Sequence, residues 1–107
     1  MNFKVLILKE AEDDIFELYM YILHHDSQES AEYVFEHIRE KIESLNSLPM
    51  RGHCPPELDR VGAAGYLEIH FKPYRIIYEV SEKKVFVHAV IDGRRDIQDL
   101  LERRLFR

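Results

Sequence analysis

The side chains of this sequence that can do chemistry are six histidines, one cysteine and a set of arginines near the C-terminal end. His24, His25, His37, His53, His70 and His88 show no His-x-x-x-His spacing, and Cys54 has no second cysteine to make a Cys-x-x-Cys pair. Metal ligation therefore has no support in the spacing, and neither a metal nor a cofactor is expected. His24 and His25 are explained by the end of a helix, where cations are favoured. Cys54 becomes a nucleophile only if the fold brings it a base and an orienting partner, and a surface or half-buried thiol is the plainer reading. No glycine-rich phosphate loop is present. The arginines say more: Tyr74-Arg75-Ile76-Ile77-Tyr78 reads as a strand, and Asp92-Gly93-Arg94-Arg95-Asp96 stands where the next and last strand ends.

Alternation sends Arg75 to the side opposite Tyr74, Ile76 and Tyr78. If those three face a helical layer, Arg75 stands on an uncovered sheet face that Arg95 can approach, and two arginines so placed hold a carboxylate or phosphate by forked hydrogen bonds. The competing reading is structural. Arg75 is then held by a cross-strand acid, Glu68 or Glu79, while Arg95 pairs with Asp92 or caps a turn. The residues alone leave both open.

The elements that must position these groups follow from periodicity. Residues 2 to 8 alternate as a buried strand. Ala11, Ile15, Leu18, Tyr19 and Ile22 make one stripe of a helix over 9 to 25, with Glu10, Glu12, Asp13 and Asp14 at its positive end. Asp26 and Glu29 resemble a capping box, and Ala31, Val34, Ile38, Ile42 and Leu45 stripe a second helix over 27 to 47, paired to the first as a hairpin. Residues 49 to 65 hold three of the four prolines and three of the four glycines and read as a long loop. Strands over 66 to 71, 74 to 80 and 84 to 91 are joined by spacers short enough for consecutive hairpins. A last helix over 96 to 105 carries Ile97, Leu100, Leu101 and Leu105, with Arg103, Arg104 and Arg107 near its C-terminal end. The expected fold is α+β: a single domain with a helical hairpin on one face of a mostly antiparallel four-stranded sheet, and a C-terminal helix.

Composition sets the outer limits. A chain of 107 residues is one domain, and 46% hydrophobic with 33% charged residues is enough to build a core. A lone cysteine and the lack of a signal-peptide pattern suggest a reduced, cytoplasmic setting. The apolar runs are too short to cross a bilayer. Residues 1 to 50 hold 11 acidic against 4 basic residues, and residues 51 to 107 hold 9 against 11. The overall charge of −5 disfavours generic binding to nucleic acid unless the arginines gather on one face.

Taken together, the strand Tyr74 to Tyr78, the pair Val85-x-Val87 and the run Val90-Ile91-Asp92-Gly93-Arg94-Arg95-Asp96 resemble the ParE/RelE superfamily of type II toxins. Ala11-Glu12-x-Asp14, Tyr21-Ile22, Leu48-Pro49-x-Arg51-Gly52 and Pro56-Glu57-Leu58 resemble its ParE-type branch over nearly the whole chain. The resemblance implies a toxin neutralised by a cognate antitoxin and directed at DNA gyrase, with operator DNA contacted only through the antitoxin. The RelE-like alternative implies a ribosome-dependent mRNA endoribonuclease, in which Arg75 and Arg95 match the nuclease arginines and His88 serves as the acid. Against it, Tyr66-Leu67-Glu68-Ile69-His70 carries no lysine where the nucleases have them, and the position of their acid-like tyrosine falls near Leu101. On the ParE-like reading Arg75, Arg94, Arg95, Leu101 and Arg104 are expected to meet the partner.

Overall fold

A computed structural model describes residues 2–106, so Arg107 lies outside the described residues. The chain runs through β1 (Lys4–Ile7), α1 (Lys9–His25), α2 (Gln28–Glu43) with a single 3-10 turn at Ser44–Asn46, α3 (Pro56–Arg60), β2 (Tyr66–Phe71), β3 (Tyr74–Ser81), β4 (Lys84–Asp92) and α4 (Gln98–Leu105). The sheet order is β1-β4-β3-β2, with β1 parallel to β4 and the other pairs antiparallel. The helical hairpin and α3 carry the chain from β1 at one sheet edge to β2 at the other, and β3 and β4 then fill the space between them.

α1 and α2 lie on one face of this sheet. Their stripes, Ala11 and Ile22 from α1 and Ala31, Ile38 and Ile42 from α2, meet Ile69, Tyr74, Ile76, Tyr78, Val85, Val87 and Val90 in one apolar cluster. The turn into α2 is capped one residue later than the sequence pattern suggests. Ser27 accepts from the Ser30 amide at 3.0 Å, while Asp26 closes α1 with its amide on the Ile22 carbonyl.

The other sheet face is not open, which corrects the expectation from sequence. The segment from 49 to 65 is not a plain loop, because α3 forms within it behind Pro55 and Pro56, where a proline suits the first helical turn. α3 and α4 together cover the second face, and Leu58, Ile97 and Leu101 pack on Ile77, Ala89 and Ile91. β4 serves both layers because a bulge sets Tyr78 opposite Val87 and Ile77 opposite Ala89, leaving His88 as the extra residue. Val87 therefore faces the hairpin and Ala89 faces α4.

Candidate functional site: an arginine clamped on the second sheet face

Arg75 lies on the second face, opposite Tyr74, Ile76 and Tyr78, and its guanidinium is consumed by two carboxylates. Nε donates to Glu68 Oε1 at 2.6 Å and one terminal nitrogen to Glu68 Oε2 at 2.9 Å; the two terminal nitrogens also reach Glu57 at 2.8 and 2.9 Å. This is a doubly forked ion pair with little solvent access, since side-chain exposure is 13% for Arg75, 15% for Glu57 and 1% for Glu68. The Arg75 hydrogen bonds hold the Glu57 carboxyl below the usual carboxylate range. The Arg75 guanidinium is held above its ordinary value by Glu57 first, and by Glu68, against the opposing effect of burial.

Local structure explains why these groups meet. Glu57 enters from the first turn of α3, and Glu68 sits on β2 two residues before His70, which pairs directly with Arg75 across β2 and β3. Gly93 makes room for the arginine stem: a Cβ there would stand 2.8 Å from Arg75 Cδ and 2.8 Å from the Pro73 carbonyl, which accepts the Gly93 amide. The glycine of Asp92-Gly93-Arg94-Arg95 is thus explained by close approach.

The remaining sequence-selected residues scatter around this clamp. Arg94, rather than Arg95, forks onto Asp92, at 3.0 and 2.7 Å, and holds the Asp92 carboxyl below its ordinary range. Arg95 is exposed, with its amide on the Asp92 carbonyl, and the structure does not bring its side chain to Arg75. His88 is hydrogen-bonded to Glu79 at 2.9 Å and stands edge-on to Tyr66, whose hydroxyl is pushed up by burial first and by Glu79. Leu101 is fully buried in α4. Arg104 reaches the stretch of β4 that β1 leaves uncovered, donating to the His88 carbonyl and to Asp14, while Asp14 accepts the Val90 amide. Asp14 and Arg104 so close a strand edge that would otherwise present bare backbone groups.

The motifs that carry the ParE-type resemblance find physical roles here. Tyr78 is fully buried with its hydroxyl donating to the Pro49 carbonyl at 2.7 Å and accepting from the Gly52 amide at 3.0 Å, so Leu48-Pro49-x-Arg51-Gly52 is the socket for that ring. Pro56-Glu57-Leu58 supplies one carboxylate of the clamp and one residue of the second core. Ala11-Glu12-x-Asp14 supplies a fully buried helix contact, Ala11, and the edge cap, Asp14. Glu57 escaped the sequence reading as a partner of Arg75, because nothing in a proline-rich stretch announces a five-residue helix. The grouping of His53 with Glu68 and His70 escaped it too, because their meeting depends on an isolated bridge between His53 and Glu68.

The family description "ParE toxin of type II toxin-antitoxin system, parDE" matches residues 5–97. The chain belongs to the ParE toxin family. Among solved structures, the chromosomal ParDE toxin-antitoxin system from P. aeruginosa contains a chain similar in fold, with a TM-score of 0.70 and 15% identity over 84% of this chain and 95% of that one. No curated protein matches the sequence. The four-stranded mixed sheet, its helices and the C-terminal helix are accordingly the ParE-type arrangement, and the chain is a ParE-type toxin of a type II toxin-antitoxin system. No helix among the described residues is long and apolar enough to cross a membrane.

Proposed function

We propose that this toxin arrests growth in the cytoplasm by binding DNA gyrase, and that a cognate antitoxin neutralises it by covering the surface around α4 and the β4 terminus. The observation that carries this reading is the clamp on Arg75. A nuclease of the RelE type needs a strand arginine free to meet a phosphate as charge builds on it. Here that arginine has its fork filled by Glu57 and Glu68, and a phosphate would have to displace two carboxylates already in place. His88 is likewise engaged by Glu79. The exposed cations Arg94, Arg95 and Arg103 supply charge for protein partners, while Arg75, Leu101 and Arg104 hold the surface in shape. The fold shared with a chain of the P. aeruginosa ParDE toxin-antitoxin system supports an antitoxin as the neutralising partner.

Controlled expression in a bacterial host without antitoxin tests the proposal, with DNA state and mRNA ends followed in one culture. Filamentation and gyrase-linked DNA breaks with intact mRNA are expected, and His88→Ala should arrest growth as the parent does. Rapid translation arrest with cuts inside ribosome-covered mRNA would overturn it.

A further inference from the structure

The second sheet face ends in a cluster that shares Glu68 with the clamp and that the family reading does not use. His53, Glu68 and His70 present one potential ligand atom each, and these atoms lie within 4.8 Å of one another. His70 Nε2 is 3.0 Å from Glu68 Oε1 and His53 Nε2 is 3.5 Å from Glu68 Oε2, so both rings aim the same nitrogen at one carboxylate. The rings stand edge-on with centroids 5.3 Å apart.

The backbone that holds these groups is fixed. The His53 amide donates to the Glu68 carbonyl at 3.1 Å and the Glu68 amide returns the bond at 2.7 Å. Gly52 makes this approach possible, since a Cβ there would stand 2.6 Å from the Glu68 carbonyl oxygen and 2.7 Å from the Tyr78 hydroxyl. Glu68 and His70, two apart on β2, project to the same face. Arg75 fixes the carboxylate from the sheet side, much as an outer partner orients a metal ligand. Glu68 remains able to bind, because each carboxylate oxygen has a second lone pair beyond the one Arg75 uses.

Charge favours a cation. Glu57 and Glu68 carry two negative charges against the single positive charge of Arg75, which leaves one negative charge beside two imidazoles. Two imidazoles and a carboxylate suit a borderline transition ion such as Zn²⁺ and not Mg²⁺ or Ca²⁺, which prefer oxygen ligands. Bond lengths of about 2.0 to 2.2 Å set tetrahedral ligand atoms about 3.3 to 3.6 Å apart, so the 3.0 Å His70–Glu68 contact must open and the wider separations, which reach up to 4.8 Å, must shorten. His53 and His70, with 62% and 37% of their side chains exposed, have the freedom to do so.

We propose that His53, Glu68 and His70 form a binding site for a divalent transition-metal ion of the zinc type, with a fourth position open to solvent. In the bound state each imidazole is neutral with its proton on Nδ1, and the ion ties the segment before α3 to the edge of β2.

Titration calorimetry of the full chain with Zn²⁺, and separately with Mg²⁺, tests this. One equivalent of Zn²⁺ and no Mg²⁺ should bind. His70→Ala, far in sequence from Cys54, should weaken Zn²⁺ at least about tenfold, as should His53→Ala. The double variant His24→Ala/His25→Ala, which removes the adjacent surface histidines of α1, should bind as the parent does. Circular dichroism confirms that each variant is folded. Absence of Zn²⁺ binding, or equal affinity in folded His53→Ala and His70→Ala variants, would overturn the proposal.

Discussion

The two faces of the sheet are built on opposite principles. Under α1 and α2 the core is wide and built of apolar side chains, and its fully buried phenol, Tyr78, is satisfied by backbone. Under α3 and α4 the core is half that extent and is ringed by charged and polar pairs: Glu57 and Glu68 on Arg75, Glu79 on His88, and Asp14 on Arg104. The first face draws its stability from area removed from water. In the second, buried charges hold two short helices in a defined place, and ion pairs of this kind contribute geometry more than net stability. A binding surface composed on such a layer keeps its shape through pairings that single substitutions can break.

Neighbouring isoleucines give the sharpest comparison, because Ile76 and Ile77 are both fully buried on opposite faces. Ile76→Ala should cost about 4 kcal/mol in urea unfolding, and Ile77→Ala about 2.5 kcal/mol because the short helices can settle into the space. Equal losses would break the contrast.

The next largest effect is electrostatic. Arg75→Met strands Glu57 and Glu68 and should cost about 3 kcal/mol near neutral pH. Because Arg75 depresses the Glu57 carboxyl, the stability from that pair is complete above the ordinary glutamate value of about 4.3 and is lost as pH falls through the lower folded value. Denaturant midpoints measured down through that acid range should therefore fall less in Arg75→Met than in the parent. A parallel acid limb in both proteins would mean that Glu57 owes nothing to Arg75.

Smaller still, Arg104→Ala should cost about 1 to 2 kcal/mol by removing the guanidinium donor from Asp14 and from the His88 carbonyl. Hydrogen exchange of β4 amides should accelerate around Val90. Arg94→Ala removes only an exposed pair with Asp92, and thermal unfolding should be unchanged.

What the sequence disclosed, and what it hid, follows the same division. The helical stripes and the alternation of Tyr74, Ile76 and Tyr78 against Arg75 are periodic, so the hairpin face was legible from one-dimensional pattern. The second face rests on aperiodic features. Its helix α3 has only five residues, and its β4 bulge reverses the alternation between Val87 and Ala89, which no regular pattern encodes. Reading the sheet as open on that side followed directly from missing α3. Glu68 was named among the acids able to hold Arg75, since both lie on adjacent strands, but Glu57 arrives from a separate element and was not. Arg94 takes Asp92, where the pattern offered Arg95, because a two-residue reach suits its fork.

The central claim is that the clamped arginine leaves a toxin that works by protein binding. Purified toxin added to gyrase with supercoiled DNA, and in parallel to ribosomes translating a defined mRNA, tests it most directly. Accumulation of gyrase-dependent DNA cleavage with uncut mRNA is the expected result. Discrete cuts in the ribosome-bound mRNA with unaffected gyrase would contradict it, and would mean that Glu57 and Glu68 release Arg75 when the chain meets RNA.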